Sequence, residues 1–280
     1  MSARGGRARR RGRRAIRRPL PARLRRAPRP VLALVALGLA AVLGAAGVTA
    51  LRGPADDLPS TGSGYPWHTG IVATTFWVGE IFDPEAEDGS QERSAWDADW
   101  MSSYGGCYGV VVDGVCETEP RAAADGWFPS STTPLENPFY VDVPFDDVNH
   151  PEAFAARGAV VPWAQQPGYA ELIDDRGASL LKNRWVMLHR EGRVCFAQVQ
   201  DAGPGEYDDA DYVFGGDDAR PANERYNGAG MDVSPAVNGC LGFADLNGQD
   251  DLIDWRFVDD DEVPEGPWTR VVTTSGVNLG

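Results

Sequence analysis

Histidine is scarce in this 280-residue chain, which has three, His68, His150 and His189, scattered without ligand spacing. The four cysteines form no C-x-x-C pair, so neither residue type offers a zinc pattern, and no metal or other cofactor is expected. A G-x-S-x-G elbow is absent, which removes the usual serine-hydrolase motif. Glycine loops of the P-loop or dinucleotide type are missing too, and no internal repeat is visible. Residues 1–30 lack acidic side chains, and basic ones become few beyond them. Thirteen of the 26 Lys and Arg fall between Arg4 and Arg29, leaving 13 basic against 41 acidic side chains in the remainder, a net −28. Such a body repels phosphates, so nucleic acid is excluded as its partner.

Charge is also lacking from residues 31–51, VLALVALGLAAVLGAAGVTAL. As a helix rising about 1.5 Å per residue this segment spans roughly 30 Å, the thickness of bilayer hydrocarbon. It reads as a transmembrane anchor with the Arg-rich segment 1–30 cytoplasmic and everything after it outside. The other reading is a cleaved signal core with Val48-Thr49-Ala50 as the small-residue cleavage site. Both export the rest of the chain, either held at the cell membrane by a single pass or secreted. Residues 52–66, RGPADDLPSTGSGYP, form a linker rich in Pro, Gly and Ser, and residues 67–280 make one domain, expected to be a monomer. All four cysteines lie in this exported part, where the compartment is oxidising and two disulfides are expected. Of the three connectivities, Cys107–Cys116 as a local staple with Cys195–Cys240 as the long-range bridge is the favoured one.

The domain repeats a pattern of short apolar or alternating runs closed by Gly, Pro, Asn or Asp, which predicts an all-β fold with long loops. Residues 184–200, RWVMLHREGRVCFAQVQ, read as two strands around a tight Glu191-Gly192 turn. Both faces of the first strand carry apolar side chains, as in the wall of a closed barrel with a second layer over it. Residues 71–78, 139–143 and 252–258 are further strands. One very short helix is expected, opening at Ser234 as N-cap with Pro235 at its first position.

Two stretches carry candidate chemistry, Gln200-Asp201-Ala202-Gly203-Pro204-Gly205 and Gly230-Met231-Asp232-Val233-Ser234-Pro235-Ala236. An Asp ending a strand before a Gly/Pro turn, followed by an Asp-aliphatic-Ser-Pro-Ala entry into a short helix, resembles the double-psi β-barrel of expansins, rare lipoprotein A and related endoglucanases. Ala73-Thr74-Thr75-Phe76-Trp77 is similar to the Ala-Thr-Tyr opening of those barrels, and Asp254-Trp255-Arg256-Phe257-Val258 to their closing strand. The resemblance covers roughly 70–278, with much of 83–180 unmatched. It implies a six-stranded double-psi barrel acting on peptidoglycan or a β-glucan, with Asp232 as the essential acid, Asp201 as its charge partner, and Thr74 or Thr75 touching the sugar. Cleaving a glycosidic bond needs one protonated carboxyl for the leaving oxygen and a second group to manage charge or water. Trp77, Trp163, Tyr207 and Tyr212 are candidates to stack on sugar rings.

One departure bears on mechanism. The hydrolytic relatives place a second Asp directly after the aromatic pair of the first strand, and here that position is Val78, with Glu80 and Asp83 as nearby substitutes. The loss is shared with expansins, which loosen polysaccharide without efficient hydrolysis, and with lytic transglycosylases. Plainer readings stand beside these. Asp201 also suits an Asx turn, Asp232 also suits a turn-orienting role or a pair with Arg225, and both threonines suit strand propensity alone. The acidic clusters at 208–211, 217–218, 245–251 and 259–262 match no complete calcium loop. A non-catalytic carbohydrate-binding module, or a structural or inhibitor-type barrel, are the rival functions.

Overall fold

The computed structural model describes residues 64–85 and 89–280, together with residues 58, 59 and 62. The Arg-rich segment and the apolar segment 31–51 lie outside the described residues. Among the described residues no helix is long and apolar enough to cross a membrane.

The described residues form eight strands, β1 (His68–Thr75), β2 (Val110–Val112), β3 (Val115–Glu117), β4 (Tyr140–Val143), β5 (Trp185–Arg190), β6 (Arg193–Ala202), β7 (Met231–Val233) and β8 (Asp251–Val258). Six of them close into a barrel in the order β1-β7-β4-β6-β5-β8. The β1/β7 and β4/β6 pairs are parallel and the other four pairs antiparallel, so the barrel is mixed. β2 and β3 make a separate two-stranded ribbon. Closure leaves no free edge in the six-stranded sheet.

The β5–β6 hairpin forms as its sequence predicts. Glu191 and Gly192 take φ values of 49° and 77°, the left-handed pair that matches the twist of flanking strands. Val186 and Leu188 face the main core. Trp185 and Met187, on the opposite face, join Phe196 and Val258 in a second buried cluster, covered by Trp67 and Trp268. That outer cluster is the second layer anticipated from the two-sided apolar strand. β1 departs from its expected span by starting and ending three residues earlier. Its register shifts between His68 and Ile71, where Gly70 takes φ 58°, and Phe76, Trp77 and Val78 leave the ladder to fill the core.

Among the described residues four α-helices stand where one was expected: α1 (Trp100–Tyr104), α2 (Pro151–Val160), α3 (Ala210–Val213) and α4 (Pro235–Leu241). α4 is the anticipated one, with Ser234 Oγ accepting from the Val237 amide at 3.3 Å. α2 buries only Ala153 and Arg157, so its apolar periodicity is too faint to read. Arg157 is nevertheless a keystone. Its guanidinium donates to the carbonyls of Asp147, Leu172, Ile173, Asp175 and Ala178 at 2.6–2.9 Å and lies 3.5 Å from the Asp147 carboxylate. The planar fork of arginine thus organises the loop before β5.

Both disulfides form with the favoured connectivity, Cys107–Cys116 and Cys195–Cys240. The first fastens the β2–β3 ribbon beside Val78, whose carbonyl lies 3.4 Å from Cys116 Sγ. The second ties β6 to α4 and so stiffens the segment that follows Asp232.

Candidate active site

The barrel order places four strands side by side, and each contributes one polar residue to a single row. Thr74 of β1 is in register with Asp232 of β7. β7 neighbours β4, and across β4 Asp142 is in register with Asp201 of β6. The last match depends on a bulge, because Val141 pairs with Val199 while Asp142 pairs with Asp201, skipping Gln200. A bulge re-aims side chains locally, and this one sets Asp142 opposite Asp201 in register. Asp201 and Asp232, distant in sequence, are therefore brought together, with Asp142 between their strands.

Asp142 Oδ1 accepts from the backbone N–H of Asp232 at 2.6 Å. Burial, followed by the charges of Asp232 and Asp201, pushes its carboxyl well above the usual carboxylate range. The neighbouring Asp142 carboxyl, by contrast, works to lower the proton affinity of Asp232. The two carboxyls titrate as a pair, so the raised proton affinity belongs to both together. Asp232 is still pushed up, by burial and by the Asp201 charge. Its Oδ1 has no hydrogen-bond partner among the described residues, and the residue is half-buried. Gly203 shapes this corner, since at φ 156° a Cβ on it would stand 2.7 Å from Asp142 Oδ2. Any larger residue there would displace the carboxylate.

Asp201 is 5% exposed. Its Oδ1 accepts from the amides of Ala95 and Ala202 at 2.7 and 2.8 Å. With its amide nitrogen facing the acceptors, Gln91 donates to Asp201 Oδ2 at 3.1 Å and to the Arg93 carbonyl at 3.3 Å. Burial raises Asp201 to about 7, opposed by those amides and by the charge of Lys182. Buried and bonded in this way, Asp201 holds the 91–95 loop over the barrel and supplies charge to the row. Asp232 is the less enclosed of the two, although its unpartnered Oδ1 is itself sealed from solvent.

Glu80, five residues beyond β1, is the fourth acid. It is half-buried, and burial raises it to about 8, with the Asp232 charge contributing. Val78, the position of the missing hydrolytic Asp, is fully buried and donates its amide to the Tyr140 hydroxyl at 3.0 Å. Thr74 is 6% exposed beside Asp232. Thr75 turns toward α4, where its Oγ1 accepts from Asn238 Nδ2 at 2.8 Å.

The proposed stacking aromatics divide sharply. Trp77, Trp163 and Tyr212 are core residues. Their polar ends are used inside the protein, as Trp77 Nε1 donates to the Cys116 carbonyl, Trp163 Nε1 to Leu180 and the Tyr212 hydroxyl to Gly230. Tyr207 is 44% exposed, on the loop that follows Asp201. Arg225 does not pair with Asp232 by hydrogen bond; its Nη2 donates to the Gly205 carbonyl at 2.9 Å. Sequence reasoning passed over Asp142, although a charged residue between Val141 and Val143 in an apolar run is itself a signal. A carboxylate buried in a strand is costly unless something partners it. Among the described residues no group of three or more His, Cys, Asp or Glu is arranged to hold a metal ion. Compared with known proteins, the chain matches no protein-family model and no curated sequence.

Proposed function

We propose that this chain is an exported polysaccharide-active protein that cleaves or loosens peptidoglycan or a β-glucan, with Asp232 as its acid. The observation that carries the reading is the Asp142–Asp232 pair, in which burial lifts both carboxyls, helped at Asp142 by the charges of Asp232 and Asp201 and at Asp232 by that of Asp201, and in which the buried Asp232 Oδ1 has no protein partner among the described residues. A carboxyl that keeps its proton toward neutrality suits general-acid work. The mixed, closed six-stranded barrel with parallel β1/β7 and β4/β6 pairs supports the likeness to the double-psi barrels of expansins and rare lipoprotein A.

In this reading Asp232 gives its proton to the glycosidic oxygen as the bond from that oxygen to the anomeric carbon breaks. The resulting carboxylate then takes the proton of the hydroxyl that closes on the anomeric carbon, from water in hydrolysis or from the same sugar in lytic cleavage. Asp142 anchors Asp232 through its backbone amide, and the buried Asp201 sustains the raised affinity for the proton. With valine at position 78, no second carboxylate activates water from that side, which favours lytic or loosening action over rapid hydrolysis. Glu80 is the remaining acid near Asp232.

The test incubates the full chain with peptidoglycan and with a β-glucan and measures soluble fragments. Release is expected, and Asp232→Asn is expected to abolish it without lowering the Tm, since the variant removes a carboxyl that ionises reluctantly in the fold. Binding without release replaces the enzyme reading with that of a carbohydrate-binding module. Neither binding nor release overturns the proposal.

A further inference from the structure

Residues 226–228 wind the wrong way. Tyr226, Asn227 and Gly228 have φ values of 48°, 60° and 72°, closing a left-handed turn in which the Gly228 amide donates to Arg225 and the Ala229 amide to Tyr226. L-residues enter this region as single positions, mostly Gly or Asn, because Cβ crowds the following carbonyl. A bulky tyrosine opening such a turn is a strained choice, and strain of this kind persists only where the surroundings over-determine it.

Here they do. Asn223 brackets the turn, its Oδ1 accepting from the Arg225 amide at 2.8 Å and its Nδ2 donating to the Ala229 carbonyl at 2.9 Å. Arg225 Nη2 fastens one side to Gly205, on the loop leaving Asp201. Asn227 Nδ2 fastens the other to the Gln249 carbonyl at 3.0 Å, next to Gly248, whose carbonyl accepts from the Thr75 amide. The turn therefore bridges the loops that flank the carboxylate row, and three residues later the chain enters β7, which carries Asp232. What this construction displays is the Tyr226 ring, 54% exposed, with the Arg225 guanidinium 5.6 Å from its centroid.

We propose that Tyr226 is a stacking platform for a pyranose ring of a neutral glycan, a saccharide subsite beside the carboxylate row. The inference rests on the polysaccharide reading above and narrows it. An aromatic face offered to solvent and held rigid meets the C–H face of a sugar at little ordering cost. The net charge of −28 beyond residue 30 repels polyuronates and leaves neutral or N-acetylated sugars as the fitting class.

The experiment measures binding of the full chain to a β-1,4-linked N-acetylglucosamine tetramer, to cellotetraose and to polygalacturonate by calorimetry, with Tm read in parallel. Wild type is expected to bind at least one neutral tetrasaccharide and not polygalacturonate. Tyr226→Ala is expected to weaken that binding about tenfold, and Tyr226→Phe to stay within about twofold of wild type. Tyr226→Gly, which relieves the left-handed backbone, is expected to lose binding while its Tm rises. Unchanged affinity in Tyr226→Ala overturns the subsite and leaves the polysaccharide reading standing. A lower Tm in Tyr226→Gly makes the ring a structural one and also overturns it. Preference for polygalacturonate overturns the neutral-sugar assignment, and no binding by wild type overturns this inference and the reading it rests on together.

Discussion

Replacing Asp201 by Asn should make the protein more stable at alkaline pH and leave it nearly unchanged in acid. Asp201 is buried, and burial raises its carboxyl from an ordinary 3.8 to about 7. A group that holds its proton more tightly folded than unfolded makes the folded chain bind more protons, so its contribution is fully present below pH 4. That contribution is lost as pH rises through 7. The interval from 3.8 to about 7 spans roughly three tenfold steps at about 1.4 kcal/mol each, a ceiling of about 4 kcal/mol. Asn preserves the arrangement, because its oxygen still accepts from Ala95 and Ala202 and its nitrogen meets a Gln91 amide free to turn. Guanidinium unfolding followed by tryptophan fluorescence between pH 4 and 8.5 measures the difference. The two proteins should agree within about 1 kcal/mol at pH 4, and the variant should gain up to about 4 kcal/mol by pH 8.5. Asp142, Asp232 and Glu80 titrate in the same direction, so wild type declines more than Asp201 alone accounts for, and the separation of the two profiles isolates its share. Profiles that stay parallel, or a variant weaker than wild type at pH 8.5, would refute the reasoning.

Two further outcomes follow from the scaffold. Replacing both cysteines of Cys195–Cys240 by serine should cost about 4 kcal/mol and those of Cys107–Cys116 about 2.5 kcal/mol, because the bridges close loops of 45 and 9 residues; equal Tm losses would contradict this ordering. Arg157→Lys should destabilise by about 3–5 kcal/mol and expose residues 170–180 to protease, since a lysine cannot reach the five carbonyls that the guanidinium holds. A loss under about 1 kcal/mol would show that those carbonyls find other partners.

Local elements of this fold were legible because their causes are local. The Glu191-Gly192 turn, the Ser234-Pro235 helix start and the two-sided apolar strand each depend on a few consecutive side chains, and each stands where the sequence puts it. The ends of β1 were misjudged because Gly70 bends the strand early and the Phe76–Val78 run, though apolar, is spent on core packing. The helices α1, α2 and α3 were missed because short or weakly amphipathic helices carry no periodicity to read. Trp77, Trp163 and Tyr212 show the same limit for side chains, since an aromatic that packs and one that stacks on a ligand look alike until burial is known.

By itself the sequence determined the acidity of the body, the β character of the domain and the presence of four cysteines to pair, with the observed connectivity the favoured one of three. Only the tertiary structure decided that Thr74, Asp232, Asp142 and Asp201 form one row, because the barrel makes neighbours of strands that are far apart along the chain and a single bulge sets which β4 residue meets Asp201. It likewise decided that Asp201 is buried while Asp232 keeps an unpartnered oxygen, and that Tyr226 is turned outward on a left-handed backbone. Exposure and register are properties of the closed sheet, and no window of consecutive residues contains them.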